Sequence, residues 1–184
     1  MTTMPGIPLR PEGQPRLASG GWRVDPGRSY ASFAVRAAGR SVRGHLPLTG
    51  QVLVAEPIED SAVRLAARTS AVSTGSSWLD RLLAGPGFLD AEAFPEIGFR
   101  SEMLAWVPAG WRAVGLLQVK GAEHELACRF DLRLDNAGPG CPPHLKVAGT
   151  LVIDSRWITR QWIPALDRRI EMTCCLSLEP DVWV

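Results

Sequence analysis

The chain has 184 residues, which is enough for one domain with a sizeable core and leaves little room for a second independent domain. Hydrophobic residues make up 46%, charged residues 21%, and the formal net charge is +1, as in an ordinary soluble globular protein. This charge balance implies no strong electrostatic attraction to nucleic acid, so we predict no nucleic-acid partner. No window approaches the roughly 20 apolar residues of a membrane-spanning helix, which leaves only contact with the membrane surface.

The N-terminal residues 1–20 predict a disordered tail. They are rich in proline and glycine and contain no apolar run of the length that a signal peptide needs. We therefore expect a cytoplasmic protein, with residues 21–184 forming a single domain.

Alternation of apolar and polar residues dominates the chain after the tail and predicts β-strands. It is clearest at 126–135 and 170–179, where one face is apolar and the other polar. The candidate strands in chain order are 29–36, 45–54, 62–69, 99–106, 111–119, 126–135, 147–154 and 170–179. The short turns between most of them favour antiparallel neighbours. An all-β, eight-stranded antiparallel barrel is the expected fold, because closure removes the exposed sheet edges.

One segment, residues 73–95, interrupts the strand pattern between the third and fourth candidates. Its apolar residues at helical spacing are Trp78, Leu79, Leu82 and Leu83. Thr74 or Ser76 is placed to cap a helix, and Gly-Pro-Gly at 85–87 ends it. We predict a short helical insert around residues 76–94.

The insert carries three carboxylates, Asp90, Glu92 and Glu96, among phenylalanines. A general acid/base pair needs a partner that shuttles protons, and no histidine lies nearby in the sequence. The histidines are scattered at His45, His124 and His144. We interpret the carboxylates as solvated charges on the outer side of a cap. We therefore predict no catalytic residues in this chain.

The four cysteines, Cys128, Cys141, Cys174 and Cys175, lack the C-x-x-C spacing of zinc and redox sites. We expect them to be reduced and structural. Cys141 and His144 have C-x-x-H spacing, but the other half of a metal site is missing, so no metal is predicted.

Two aromatic groups exceed the needs of a plain globular core. Phe88, Phe94 and Phe99 with Trp78 form a cluster that suits either a ligand gate or ordinary packing of a cap. The second group lies at 155–169, and its members are Arg156, Trp157, Arg160, Trp162 and Ile163. Arginine interleaved with tryptophan suits an anionic membrane surface or single-stranded nucleic acid, and it also occurs in plain surface loops.

The order of landmarks in this chain resembles the YceI-like family. Its opening segment is matched by GWRVDPGRSYASFAVR and SVRGHLPLTGQV, and its next landmark by STGSSWLDRLLAGPGFLDAEAFPEIGFRSE. A later Gly-x-Leu hairpin is matched by GLLQVKGAEHEL, and the resemblance runs from about Trp22 to Glu179. Family members often have Arg-Asp in place of Leu79-Asp80 and a histidine in place of Leu82. Their late strand usually has a glycine a few residues after an arginine, and this glycine is missing after Arg156. These departures suggest a changed head-group contact or ligand.

The resemblance implies a lipocalin-like barrel whose apolar lumen holds a polyisoprenoid, such as a polyprenyl quinone or polyprenyl phosphate. It implies no other cofactor, and it makes a homodimer an expectation. Our hypothesis is non-enzymatic binding, storage or transport of such a lipid. Two alternatives stay open: a cyclase-like or isomerase-like enzyme that uses one acid among Asp80, Asp90 and His45, and a module that sequesters an amphiphilic metabolite.

The predicted ligand contacts follow from the inward faces of the candidate strands and from the insert. The lumen set is Phe33, Val35, Val52, Leu65, Phe99, Leu117, Leu132 and Leu151. The mobile cap is Trp78, Leu82, Phe88 and Phe94. We predict in addition a membrane-facing rim, which is made of Arg156, Trp157, Arg160, Trp162 and Ile163.

Overall fold

The computed structural model describes residues 19–107, 110–135 and 144–181, and most of them are in antiparallel strands. The strands are β1 (Gly20–Val24), β2 (Tyr30–Ala37), β3 (Arg40–Pro47), β4 (Thr49–Val54), β5 (Ala62–Arg68), β6 (Glu96–Val107), β7 (Gly110–Val119), β8 (Ala122–Asp135), β9 (His144–Asp154) and β10 (Arg169–Pro180). Within the described residues one α-helix, α1 (Ser77–Ala84), lies between β5 and β6. The predicted tail falls almost wholly on residues outside the described part. No helix in the described part is long and apolar enough to cross a bilayer.

The ten strand segments form eight barrel strands. β1 and β2 pair with the same edge of β10, one after the other, so that Trp22 lies opposite Pro180 and Tyr30 lies opposite Cys175. β3 and β4 pair with β2 and β1 in the same way. Each of these two pairs of segments is therefore a single barrel strand with a short interruption.

The remaining strands follow in the order β4-β5-β6-β7-β8-β9-β10, and β10 closes the ring by pairing with β1. Every neighbouring pair is antiparallel. The predicted eight-stranded antiparallel barrel is confirmed, and each candidate segment falls on a different barrel strand. The strand pattern did not predict β1, because its five residues begin with two glycines and are too short to show alternation.

The connections divide between two ends of the barrel. We call one of them the insert end, and its connections are the turn after β2, residues 69–95, the turn after β7 and the loop at 155–168. The opposite end carries the start of β1, the connection at 55–61 and the end of β10. Because consecutive antiparallel strands alternate in direction, every second connection lies at the same end.

The helix of the insert starts and ends close to the predicted positions. Ser76 precedes α1, but its side chain makes no capping bond. Asp80 instead accepts hydrogen bonds at 2.6 Å from both the backbone N–H and the hydroxyl of Thr74. Gly85 follows the last turn and donates its N–H to the carbonyl of Leu82. The Thr74–Asp80 pair thus fixes the start of the helix against the chain that leads into it.

The backbones of β6 and β7 approach each other closely beside an irregularity in their pairing. The register of β6 against β7 shifts between Ser101 and Met103, and a Cβ on Gly115 would overlap the carbonyl oxygen of Arg100. Glycine is required here by the close approach of two backbones.

We predict that Gly115→Ala lowers the free energy of unfolding by about 2 kcal/mol, because the added methyl group pushes β6 and β7 apart. Urea denaturation measures the change. Gly98→Ala is the matched control on the neighbouring strand, where the nearest atom to a new Cβ is 3.9 Å away. Equal stability of the two variants would contradict the prediction.

Candidate ligand-binding cavity

An apolar cavity of about 260 Å³ occupies the interior of the barrel. All eight barrel strands contribute to its wall, together with residues of the insert and of the loop at 155–168. It exceeds the roughly 150 Å³ of an engineered apolar cavity that stays dry and takes up benzene. The volume is therefore large enough to hold a ligand.

The wall presents few polar groups. Of its hydroxyls, Ser61 accepts the N–H of Ala55 at 2.9 Å, and Thr159 donates to the carbonyl of Gly87 at 2.7 Å. Among the described residues, no Asp, Glu, His, Lys or Arg lines the cavity. A ligand inside this cavity is therefore held by apolar contact.

The inward-facing side chains do not meet in the middle of the barrel. Leu145 and Leu178, near the opposite end, are fully buried at 2% and 1% exposure. Phe33, Leu117 and Leu151 line the same cavity farther from that end, yet part of their surface is left uncovered. In a barrel filled to the density of a normal protein interior, such residues would be buried completely.

Most of the predicted ligand contacts line this cavity. They are Phe33, Val35, Val52, Leu65, Phe88, Phe99, Leu117, Leu132 and Leu151. The eight strand residues were placed by alternation alone, since neighbours on a strand point to opposite faces. That these side chains touch a ligand stays a prediction.

The other three predicted cap residues are not part of the wall. Trp78 and Leu82 lie on the outer face of α1, with 65% and 41% of their surface exposed, and Leu83 faces the cavity instead. Phe94 packs against the turn at Gly121, where a Cβ would lie 3.1 Å from its ring. Helical spacing predicted one apolar side for this helix, whereas the structure turns Leu83 to the cavity and leaves Trp78 and Leu82 outside.

Lys120 ties together the two connections that cover the insert end. Its ammonium group donates to the carbonyl of Phe88 at 2.6 Å and to that of Ile158 at 3.3 Å. Phe88 belongs to the insert and Ile158 to the loop at 155–168, and both line the cavity. Sequence reasoning missed this residue. The available signal was that Lys120 and Lys146 are the only lysines of the chain.

Part of the predicted membrane-facing rim helps to cover the insert end of the barrel and is not exposed. Trp157 lines the cavity and stacks on His124, with ring centroids 4.2 Å apart and an angle of 10° between the planes. This corrects its predicted position on the outer surface. Ile163 is half-buried, whereas Arg160 and Trp162 are exposed; that they face a membrane stays a prediction.

Asp154 holds the base of the loop at 155–168. Its carboxylate accepts bonds from the side chain of Arg156 at 2.8 Å and of Arg168 at 3.3 Å. The guanidinium of Arg156 is the main reason that the pKa of Asp154 lies well below its ordinary value, and the Arg156 N–H and Arg168 add to the effect. The carboxylate thus stays ionised and joins both ends of the loop.

Two thiols are part of the cavity wall. Burial raises the pKa of Cys128 above its ordinary value and raises that of Cys174 to about 12. A neutral thiol is a weak nucleophile and packs as a small apolar group. Cys141, one half of the C-x-x-H pair, lies outside the described residues.

The candidate acids of the enzyme alternative lie away from the cavity. Asp80 is bound to Thr74, the ring of His45 meets that of Tyr30 edge-on at 6.4 Å, and Asp90 is not part of the wall. In the described part of the chain, no group of three or more His, Cys, Asp or Glu side chains is arranged to hold a metal ion.

We predict that Lys120→Met loosens the insert end and lowers the free energy of unfolding by about 1 kcal/mol, because two carbonyls lose a charged donor. Hydrogen exchange should accelerate at 83–94 and 155–168 and stay unchanged in β9. Arg112→Met, on the exposed wall of β7, is the control for loss of a positive charge. Unchanged exchange in both connections would contradict the role of Lys120.

Asp154→Asn should lower the melting temperature at pH 7 by about 2 °C, a small effect because both arginines are exposed. Because the pKa of Asp154 is lowered on folding, its stabilisation is complete above the ordinary carboxyl pKa and is lost as the pH falls through the folded pKa. The difference from wild type should therefore shrink below about pH 4. Asp131→Asn on the barrel wall is the control, and a pH-independent difference would refute the pairing.

Several solved structures have a fold similar to this barrel. The barrel is similar to Burkholderia cenocepacia BcnA, with a TM-score of 0.68 and 16% identity over 84% of this chain and 98% of that chain. A polyisoprenoid binding domain from Saccharophagus degradans, implicated in plant cell wall breakdown, gives a TM-score of 0.61 and 12% identity over 86% and 98%. The Campylobacter jejuni YCEI protein gives 0.65 and 13% over 77% and 86%.

At these identities the solved structures establish the fold alone. A search of curated proteins finds no match. Residues 22–161, however, match the YceI-like domain family. Since this segment makes up more than half of the chain and contains most of the barrel, the chain belongs to the YceI-like family.

Proposed function

We propose that the protein binds a long apolar ligand in the barrel cavity and stores or carries it without chemical conversion. The observation that carries the proposal is the hollow interior, where Phe33, Leu117 and Leu151 face inward and are only partly covered by other side chains. Apolar surface that a ligand covers contributes about 25 cal/mol per Å². An occupied barrel is therefore more stable than an empty one.

A polyisoprenoid, such as a polyprenyl quinone or polyprenyl phosphate, suits this cavity. The wall is apolar along its length, which favours a hydrocarbon chain over a ligand with polar groups spread along it. A polar head group then has to lie at an end of the barrel. The Saccharophagus degradans domain with the same fold is described as polyisoprenoid binding, which supports this ligand class.

The lack of acid/base groups in the described wall supports a carrier over an enzyme. General acid/base catalysis needs a titratable side chain within hydrogen-bond reach of the substrate. The two thiols of the wall are held neutral by raised pKa values. The homodimer and the cytoplasmic location stay predictions.

Ligand binding can be tested by native mass spectrometry of the purified protein and by organic extraction, followed by loading with a polyprenyl quinone. We expect one lipid per barrel and quenching of tryptophan fluorescence on loading. A protein that carries no lipid and takes up no polyprenyl compound would contradict the proposal.

Val147→Trp provides the sharper test. Val147 is an inward residue on β9 that borders the cavity, so a larger side chain can occupy the space of the ligand. We expect the variant to fold and to bind the quinone at least about tenfold more weakly, since an indole fills much of the lumen. Ala148→Trp, one residue along and exposed, is the matched control and should bind normally. Equal binding by both variants would place the ligand outside the barrel.

A further inference from the structure

We infer that the insert end of the barrel is a docking surface for an anionic lipid bilayer. Three of its large apolar side chains, Trp78, Leu82 and Trp162, are exposed at 65%, 41% and 85%. Trp78 and Leu82 lie four residues apart on α1 and therefore share a face of the helix. Indole rings in such positions occupy the head-group level of a membrane.

Trp78 and Leu82 belong to the insert, and Trp162 belongs to the loop at 155–168. Hydrogen bonds connect these two segments. The hydroxyl of Thr159 donates to the carbonyl of Gly87 at 2.7 Å, and Lys120 bonds to both connections. The insert and the loop at 155–168 thus cover the same end of the barrel. Their apolar side chains can reach one surface together.

Positive charge is concentrated on the loop side of the insert end, whereas the insert itself carries Asp80, Asp90 and Glu92 against Arg81. Ala38 donates its N–H to the carbonyl of Pro164 at 2.6 Å, and Asp167 donates to that of Arg36 at 2.9 Å, so the turn at 36–40 lies against the loop. These two segments contain one acidic residue, Asp167, against a group of arginines. The arginines are Arg36, Arg40, Arg156, Arg160 and Arg168.

Not all of these arginines are available to a partner. Arg156 and Arg168 are paired with Asp154, whereas Arg40 and Arg160 are exposed and form no ion pair with any described residue. Basic side chains next to apolar ones match a bilayer with negatively charged head groups. The arrangement does not match single-stranded nucleic acid equally well, because Trp157 is stacked on His124 and is not free to stack on a base.

The proposed docking surface lies at the end of the barrel where the two connections cover the cavity. Phe88, Leu89 and Ile158 belong to the two connections of the insert end and line the cavity from that side. A lipid that leaves the bilayer at this end would cross only these connections. Ligand exchange at this surface rests on the proposed function, whereas docking itself does not depend on a bound ligand.

Flotation with lipid vesicles tests the docking. Delipidated protein should float with phosphatidylglycerol-containing vesicles and not with pure phosphatidylcholine, and binding should weaken as salt is raised. Arg40→Glu combined with Arg160→Glu should lower the partition coefficient at least about tenfold. Trp162→Ala should lower it about fivefold, and because Trp162 is 85% exposed we expect the variant to fold like wild type.

Matched controls lie on the barrel wall. Arg64→Glu combined with Arg129→Glu makes the same change of charge at exposed wall positions, and Met103→Ala removes an exposed apolar side chain there. Both should float like wild type. Equal loss from wall and insert-end variants, or equal binding to neutral and anionic vesicles, would overturn the inference. A gel shift with single-stranded nucleic acid that requires Trp162 would overturn it as well. Extraction of the same variants measures ligand content separately, so a failure of docking is distinguishable from a failure of ligand binding.

Discussion

Closure of the sheet into eight barrel strands is the constraint on which the rest of this structure depends. Once β10 pairs with β1 and β2 along one edge and with β9 along the other, the circumference of the barrel is set. An eight-stranded barrel has an interior that side chains either fill or leave open for one ligand. Here small residues on the inner face, such as Ala31, Ala113 and Gly149, help to leave it open.

An open interior forgoes contacts that a packed core would make, because atoms that border a void lack partners on one side. The structure offsets this loss by dense packing near the end of the barrel opposite the insert. Trp22, Val24, Leu145 and Leu178 are almost completely buried where β1, β9 and β10 meet. The barrel is thus firmly packed near one end and covered at the other by connections.

The connections that cover the insert end are held together by a different kind of hydrogen bonding from that of the sheet. They are held by side-chain bonds of Lys120, Thr159 and Asp154 and by isolated backbone bonds, such as that from Ala38 to Pro164, whereas the strands are joined by continuous ladders of backbone hydrogen bonds. Segments with few bonds open at lower free energy than the sheet that holds them. Opening of these connections gives access to the cavity at the proposed membrane surface and leaves the barrel itself intact.

The sequence by itself determined the barrel and the identity of its inner wall. Alternation with a period of two specifies which side chains share a face, so Phe33, Leu117 and Leu151 could be placed inside without coordinates. The loss of that period at 73–95 likewise marked the insert. Both are properties of consecutive residues, and local geometry decides them.

Only the tertiary structure decided how the insert end is closed. The spacing of apolar residues along α1 did not predict that Leu83 faces the cavity while Trp78 and Leu82 face outward. Trp157 turned inward because His124, a residue of the neighbouring strand β8, offers a ring to stack on. Lys120 acquired its role from carbonyls 32 and 38 residues away in the chain. Contacts between distant segments depend on how the chain folds back on itself, and no repeat in the sequence encodes them.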